Sequence, residues 1–448
     1  MKASSRDMTE GKPLRLLTVF TIPALAGNLL NQVYSITDSI IVGRYLGQTS
    51  LAAIGVTMPV VLLTAAMVIG LNVGVGILLS QSFGRRDTDG MRHILANSFY
   101  LALIIAIFTT AVGYPLTVPI LKLMGTPEGP MKEAAQYMHI NFATTIFPLL
   151  YFLFNNAFRG MGDSMTALWC LIVSVVVNVF LDIFFVAVLG LGVAGTAWAT
   201  AIAQAMSVIF SVIMLYVKFP QMRLKKADFK LEKKLLGGIS KLAVPIALQT
   251  GFNNLGNIVV QSCINGFGEA IMAAYTAASR VGTLSLMPAE TVGSSLSVYA
   301  GQNYGAKKPG RIRLGVQASW KMNIVISVVL GAVILFLGKQ STGLFLEDPS
   351  AEVTNAAYRY LLFAAVPGIL NGMMCIYQQT IRGVGKATQA VIGGFMQLGA
   401  KVLLALLGAY VFKNLDIVWL AWPVSFVVGT IFPFFVYRRE FRAIPAES

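Results

Sequence analysis

Apolar residues run along this chain in long unbroken blocks that short polar segments interrupt. The blocks are continuous rather than alternating, so they predict helices and exclude the apolar–polar strands of a membrane barrel. They place spans near 16–45, 52–80, 94–123, 133–158, 165–188, 193–217, 236–265, 272–300, 316–345, 354–381, 388–411 and 416–437. Each holds the roughly 20 residues that a helix needs to cross a bilayer core. The expected fold is an all-α polytopic membrane protein with about twelve transmembrane helices.

The segments between spans alternate in character. One set is basic: the N-terminus, FGRRDTDGMRH, FRGMGDS, KFPQMRLKKADFKLEKK, YGAKKPGRIR, IRGVGKAT and the tail YRREFRA. The other set is short and poor in Lys and Arg: GQTS, GTPEG, GLGVAG, GFGEA, EDPSAE and KNLD. Lys and Arg favour the cytoplasmic side, so both termini are expected there, and the number of spans is even. A multi-pass protein of the cell membrane is the expected setting.

The pattern also repeats. TIPALAGNLLNQ resembles AVPIALQTGFNN, SQSFGRRDTDGMR resembles GQNYGAKKPGRIR, and NNAFRGMGDS resembles QQTIRGVGKA. All three pairs are offset by about 222 residues, half the chain, so one unit has been duplicated. The expected organisation is an N-terminal six-helix lobe over 1–218, a basic cytoplasmic linker over 219–234 and a C-terminal six-helix lobe over 235–448. An even span count gives both lobes the same orientation. They are then related by a pseudo-twofold axis along the membrane normal, around a central cavity gated by rocking.

Composition agrees and removes other classes. The chain is 56% hydrophobic and 12% charged, with a mean hydropathy of +0.72, too little charge for a soluble surface of this size. The net charge of +15 sits in the short loops, where it sets topology, so no nucleic-acid partner is expected. Cys170, Cys263 and Cys375 stand singly in apolar segments and make neither a metal spacing nor a disulfide framework. His93 and His139 form no HExxH. The string GAVILFLGKQS has its glycines too far apart for a P-loop, and Gln follows its Lys. With no nucleophile–base motif either, no enzyme and no cofactor are expected. The polar N-terminus leads straight into a span, which predicts no cleaved signal peptide.

Charge deep in the spans is rare, and a buried charge in a bilayer costs several kcal/mol unless it pairs, neutralises or meets water. The deep ionisable residues are Asp38, Asp182, Glu290 and Lys401. Tyr34 lies one turn before Asp38 and Asn31 two turns before, so the three share a face. Asn178 and Asp182 share a face in the same way. Pro23 removes a backbone donor and gives the first span a place to kink. Asn253, Asn257 and Gln261 recur every fourth residue and read either as a cavity-facing stripe or as interhelical hydrogen bonding. Glu290 reads either as a cavity residue that attracts a cation or as one nearer a helix end. Lys401 is expected to snorkel to an interface. At Asp163, Arg159 and Arg382, turn chemistry and topology suffice.

In order and in both halves, these features resemble the multidrug and toxic compound extrusion (MATE) family. The resemblance covers nearly the whole chain. It is carried by the repeated spans, by Gln81 with Gly84 and Gln302 with Gly305, and by the turns Arg159-Gly160-Met161-Gly162 and Arg382-Gly383-Val384-Gly385. It implies two lobes around a central cavity and export of cationic or amphipathic organic compounds in exchange for H+ or Na+. In members whose N-terminal lobe carries the coupling site, acids on helices 1 and 5 meet. The matching residues are Asp38, Asn178 and Asp182, with Tyr34, Tyr137, Asn155 and Thr200 as neighbours and Pro23 as the bend. Another branch carries an acid early in helix 7; here LQTGFNNLGNIVVQ has none.

Two carboxyls shielded from water resist ionising together and titrate as one coupled unit. Protonation turns an acceptor into a donor, so the hydrogen bonds around it must rearrange. Asp38, Asn178, Asp182 and Thr200 also make an oxygen-only set for Na+, with H+ the favoured ion. The expected function is a secondary antiporter, acting as a monomer in the bilayer on small organic cations or amphipaths. The alternative is a flippase or exporter of a lipid-linked saccharide or other lipid. That cavity should be rich in Arg and Lys for phosphate, and Lys401 is essentially alone at depth.

Overall fold

A computed structural model describes residues 7–342 and 350–441, and among them all regular structure is helical. The helices are α1 Pro13–Gly84, α2 Thr88–Leu123, α3 Glu128–Ala143, α4 Ile146–Gly160, α5 Ser164–Asp182, α6 Gly192–Lys218, α7 Lys233–Asn265, α8 Glu269–Gly305, α9 Pro309–Thr342, α10 Ala351–Ala364, α11 Gly368–Gly383, α12 Ala387–Leu406 and α13 Leu415–Phe441. Residues 343–345 of the ninth expected span, the first half of EDPSAE, the first six residues and the end of the YRREFRA segment lie outside the described residues.

Helix is the one local solution for such runs, because a bilayer offers no water to an unpaired backbone group. Among the described residues, nine helical stretches are long and apolar enough to cross a membrane, with α10 and α11 counted together. The pair α3–α4, bent by 51°, makes a tenth. α1 is itself two spans: Gly47, at φ 80° and ψ −171°, breaks its 72 residues into two arms. That φ is open to glycine at little cost. α8 is long enough at 37 residues but carries Glu269, Arg280 and Glu290. The two arms of α1 and α8 bring the count to the twelve expected.

The described residues form two compact units. The first holds Ala26–Gly251 with Asp7; the second holds Met8–Leu25 and the chain from Phe252 onward. These limits differ from the duplication limits at 218 and 235, because packing and not sequence repetition decides membership. Met8, Leu17 and Phe20 are buried with Leu296, Tyr299 and Ile376 in the second unit. Ile239, ahead of Pro245, the second repeat's counterpart of Pro23, joins Leu95, Phe158 and Leu215 in the core of the first. α1 and α7 therefore each run from one unit into the other.

The RGxG turns owe their glycines to geometry. Gly162 and Gly385 take φ of 80° and 87° where α4 and α11 turn into the next helix. Asp163 then caps α5 by accepting from the Thr166 N–H at 2.9 Å, and Lys218 Nζ donates to Thr166 Oγ1 at 2.6 Å. The basic linker is ordered rather than loose. It makes 3-10 turns at Pro220–Met222 and Lys226–Phe229. Its Asp228 meets Arg92 Nε at 3.2 Å, while Asn97 donates to the Lys230 carbonyl and Tyr100 to that of Phe229.

Candidate functional site

The first unit gathers most of the residues expected to act together. Asp38 and Tyr34 lie on the first arm of α1, one turn apart, and Asp182 is the last residue of α5, one turn after Asn178. Directly after Asp182 the helix loosens into a π turn, Ile183–Val188. Such turns often accompany functional sites, since they break the regular carbonyl ladder. Thr200 comes from α6 and Tyr137 from α3. α6 packs on α3, α4 and α5, and so brings these faces together.

Hydrogen bonds link the ring of neighbours. Asn178 Nδ2 donates to Thr200 Oγ1 at 3.3 Å, and Thr200 Oγ1 lies 3.4 Å from the Tyr34 hydroxyl. Asp38 and Asp182 interact carboxyl to carboxyl, and Tyr34 and Tyr137 both lie within electrostatic reach of the pair. Asp182 is fully buried and Asn178 nearly so. Yet four oxygens here are buried without a donor: Asp38 Oδ1, Asn178 Oδ1 and both carboxyl oxygens of Asp182. An ionised carboxylate only accepts. The two acids can therefore hydrogen-bond each other only when they share a proton. A proton or a small hard cation meets the unmet demand of these oxygens.

The cluster borders open space. A cavity of 280 Å³ is lined by Tyr34, Asp38, Tyr137 and Thr200, together with apolar Val60, Phe142 and Phe152. A smaller one of 100 Å³ touches Asn31, Tyr34, Asn178 and Thr200. Asn155 stands apart. It lines neither cavity, and its amide donates to the Ala167 carbonyl at 3.0 Å, tying α4 to α5. Pro23 belongs to the second unit, and α1 keeps helical dihedrals through it; the break in that helix is at Gly47. Sequence reasoning missed Asn141 and Gln204, which line the larger cavity one turn after Tyr137 and Thr200. The same four-residue spacing that flagged Asn178 with Asp182 would have found them.

The second unit treats its polar residues differently. Asn257 accepts from Lys401 Nζ at 2.8 Å, and the Lys401 ammonium lies 4.7 Å from the centre of the Trp422 ring. Lys401 therefore does not snorkel: α12 places it fifteen residues into a 25-residue span, and a cation–π contact with a hydrogen bond holds it inside. Gln261 donates within its own helix to Asn265 at 2.7 Å, and Asn253 is half-buried. Glu290 is exposed on α8 beside Cys375 of α11.

Comparison with known proteins matches the same regions. The model of the MatE family matches residues 23–184 and 245–407, one match in each repeat. The probable multidrug resistance protein YoeA of Bacillus subtilis is 29% identical over 436 residues, covering 95% of this chain and 93% of that protein. The probable multidrug resistance protein YpnP of the same organism is 30% identical over 396 residues, covering 86% of each. A MATE crystallised in the straight conformation superposes with a TM-score of 0.90 at 23% identity, over 99% of both chains, which fixes the fold. The matches span both halves and nearly the whole length, and the chain belongs to the MATE family, whose members are transporters and not enzymes.

Proposed function

We propose that the protein is a secondary exporter that moves cationic or amphipathic organic compounds outward in exchange for H+, with Na+ the other candidate ion. Asp38 and Asp182 are the coupling pair. Asn178, Thr200, Tyr34 and Tyr137 hold the hydrogen-bond network that changes with occupancy. The observation that carries this reading is the set of four buried oxygens without donors beside a cavity. A purely structural carboxyl in a span pairs with a donor, because an unmet charge there is expensive. Here the missing partner is the transported ion. Apolar walls at Val60, Phe142 and Phe152 suit the body of an amphipath, and the carboxyls suit its charge. Occupancy reaches the rest of the molecule through α1. Pro23 lies two residues before that helix leaves the second unit for the first, where a missing backbone donor makes bending cheap. The basic segments set both termini in the cytoplasm of a cell-membrane protein.

The test is uptake of rhodamine 123 by proteoliposomes, with a pH gradient or a Na+ gradient imposed separately. Transport should follow the pH gradient in the wild type and vanish in Asp182→Asn and in Asp38→Asn. Response to Na+ alone reassigns the ion and keeps the site; full activity in both variants removes the site.

A further inference from the structure

We propose that Lys401, with Asn257, forms a receiving site in the second unit for an oxyanion, a carboxylate or phosphate, so that the protein accepts zwitterionic as well as purely cationic amphipaths. This deepens the export reading above and rests on it for the cationic half of the ligand.

The site is built by close packing of α7 on α12. Beside Gly256 stand the Leu398 and Val402 side chains of α12, so the two helices lie in contact there. That approach brings the next residue, Asn257, against Lys401. An ammonium has three donors. One goes to Asn257 Oδ1, and a second side faces the Trp422 ring. Among the described residues no carboxylate lies within ion-pair distance of Lys401, so its charge has no counter-ion. An aromatic face and a neutral amide offset a desolvated cation only in part. Asn257 is exposed and has a free Nδ2, since its oxygen takes the lysine bond. Polar Asn253, Asn257 and Gln261 on one face argue that this face of α7 meets water and not lipid tails. An oxyanion placed there receives a charge-assisted bond from Lys401 and a second bond from Asn257.

Position supports recognition over packing. Lys401 lies nineteen residues after Arg382, and Asn178 lies nineteen after Arg159. The second repeat thus carries a cation at the position where the first carries an amide of the acid cluster.

The experiment uses a matched pair of dyes: rhodamine 110, which has a free carboxylate, and rhodamine 123, its methyl ester. Binding is read by fluorescence anisotropy with the whole protein in phosphatidylcholine nanodiscs, which needs no ion gradient. Lys401→Met should weaken rhodamine 110 by roughly tenfold to a hundredfold, the worth of a charge-assisted bond, and rhodamine 123 by less than about twofold. Lys401→Arg should keep rhodamine 110 binding. Retained rhodamine 123 binding shows that the variants fold. Equal affinity of wild type and Lys401→Met for rhodamine 110, including no affinity in either, overturns the proposal; so does an equal loss for both dyes. Adding phosphatidylglycerol separates sources: competition in the wild type but not in Lys401→Met makes a lipid headgroup the natural occupant, and no competition leaves a soluble carboxylate or phosphate. Failure of the export reading would show instead as rhodamine 123 transport insensitive to Asp182→Asn.

Discussion

The two units were built from one plan and now differ where it matters most. Asp38 lies fifteen residues after Pro23, and Asp182 twenty-three after Arg159. The same counts from Pro245 and Arg382 reach Val260 and Ala405. Both are completely buried, in a cluster with Tyr360, Trp419 and Trp422. Those aromatics pack edge to face, and Tyr360 lies 5.1 Å from Trp419 and 5.2 Å from Trp422 between ring centres. In the first unit the corresponding ground is a polar cluster against a 280 Å³ cavity. The backbone has diverged less than the side chains. α5 ends in a π turn at Ile183–Val188 and α12 in another at Leu407–Val411, although no acid precedes the second. The π turn is therefore part of the duplicated scaffold and not a consequence of the acid. Duplication supplied two frames; substitution made one a buried carboxyl cluster and the other an aromatic wall with a single cation.

The sharpest way to break this contrast is to make the first unit like the second. Asp182→Leu should reduce gradient-driven export to the leak of protein-free vesicles. The same change should leave the protein as stable as before or more stable by about 1–2 kcal/mol, since it removes a buried carboxyl that has no donor. Loss of export with gain of melting temperature is the signature of a site that trades stability for function. A marked drop in melting temperature would instead make Asp182 a structural residue.

The reverse graft should fail. Ala405→Asp puts a carboxylate into the aromatic cluster with no partner, which should cost about 3–5 kcal/mol. It should lower both yield and melting temperature and bring no ion coupling. A stable Ala405→Asp protein would mean that water already reaches this part of the second unit.

How much of this contrast the sequence could tell depends on the kind of signal. The spans were legible because a bilayer leaves a continuous apolar run one option, and the duplication because whole motifs repeat at one offset. Asp38, Asn178 and Asp182 were legible because charge at depth is rare and because i, i+4 spacing puts residues on one face. Contacts between helices were not. Asn155 looked like a site neighbour by resemblance, but its amide is taken by the Ala167 carbonyl, which only packing of α4 on α5 reveals. Lys401 looked free to snorkel, but Asn257 of α7 accepts from it and the Trp422 ring lies against it, which only the packing of the helices reveals. The unit limits shifted for the same reason, since no repeat announces that Met8 and Leu17 are buried with Leu296.

Asn155 gives a smaller, local test. If it serves packing, Asn155→Ala should cost about 1–2 kcal/mol through the lost buried bond and leave the pH dependence of export unmoved. A shift in that pH profile would return Asn155 to the neighbourhood of the Asp38–Asp182 pair.

The smallest effect concerns how each unit fastens the segment that leads into its crossing helix. In the second unit Met8 N–H donates to Gln302, and Asn303, Lys308 and Arg311 donate to backbone carbonyls of Met8–Gly11, bonds that do not depend on a carboxylate. In the first unit the clasp depends on the Asp228 carboxylate. Burial works against its charge, but the Lys225 N–H at 2.7 Å and the Arg92 guanidinium outweigh burial and hold Asp228 below the usual carboxylate range. A carboxyl with a depressed folded value contributes fully above its unfolded value, near 4, and loses that contribution as pH falls through the folded value. Acid should therefore loosen 225–232 before it loosens Met8–Gly11. Asp228→Asn at neutral pH should mimic acid, at about 1–2 kcal/mol, because the amide keeps the Lys225 bond and loses the attraction to Arg92. Hydrogen exchange corrected for intrinsic rates reads both segments at once. Equal loosening of the two in acid would show that the clasps share one chemistry after all, and that the divergence of the units stops at the membrane surface.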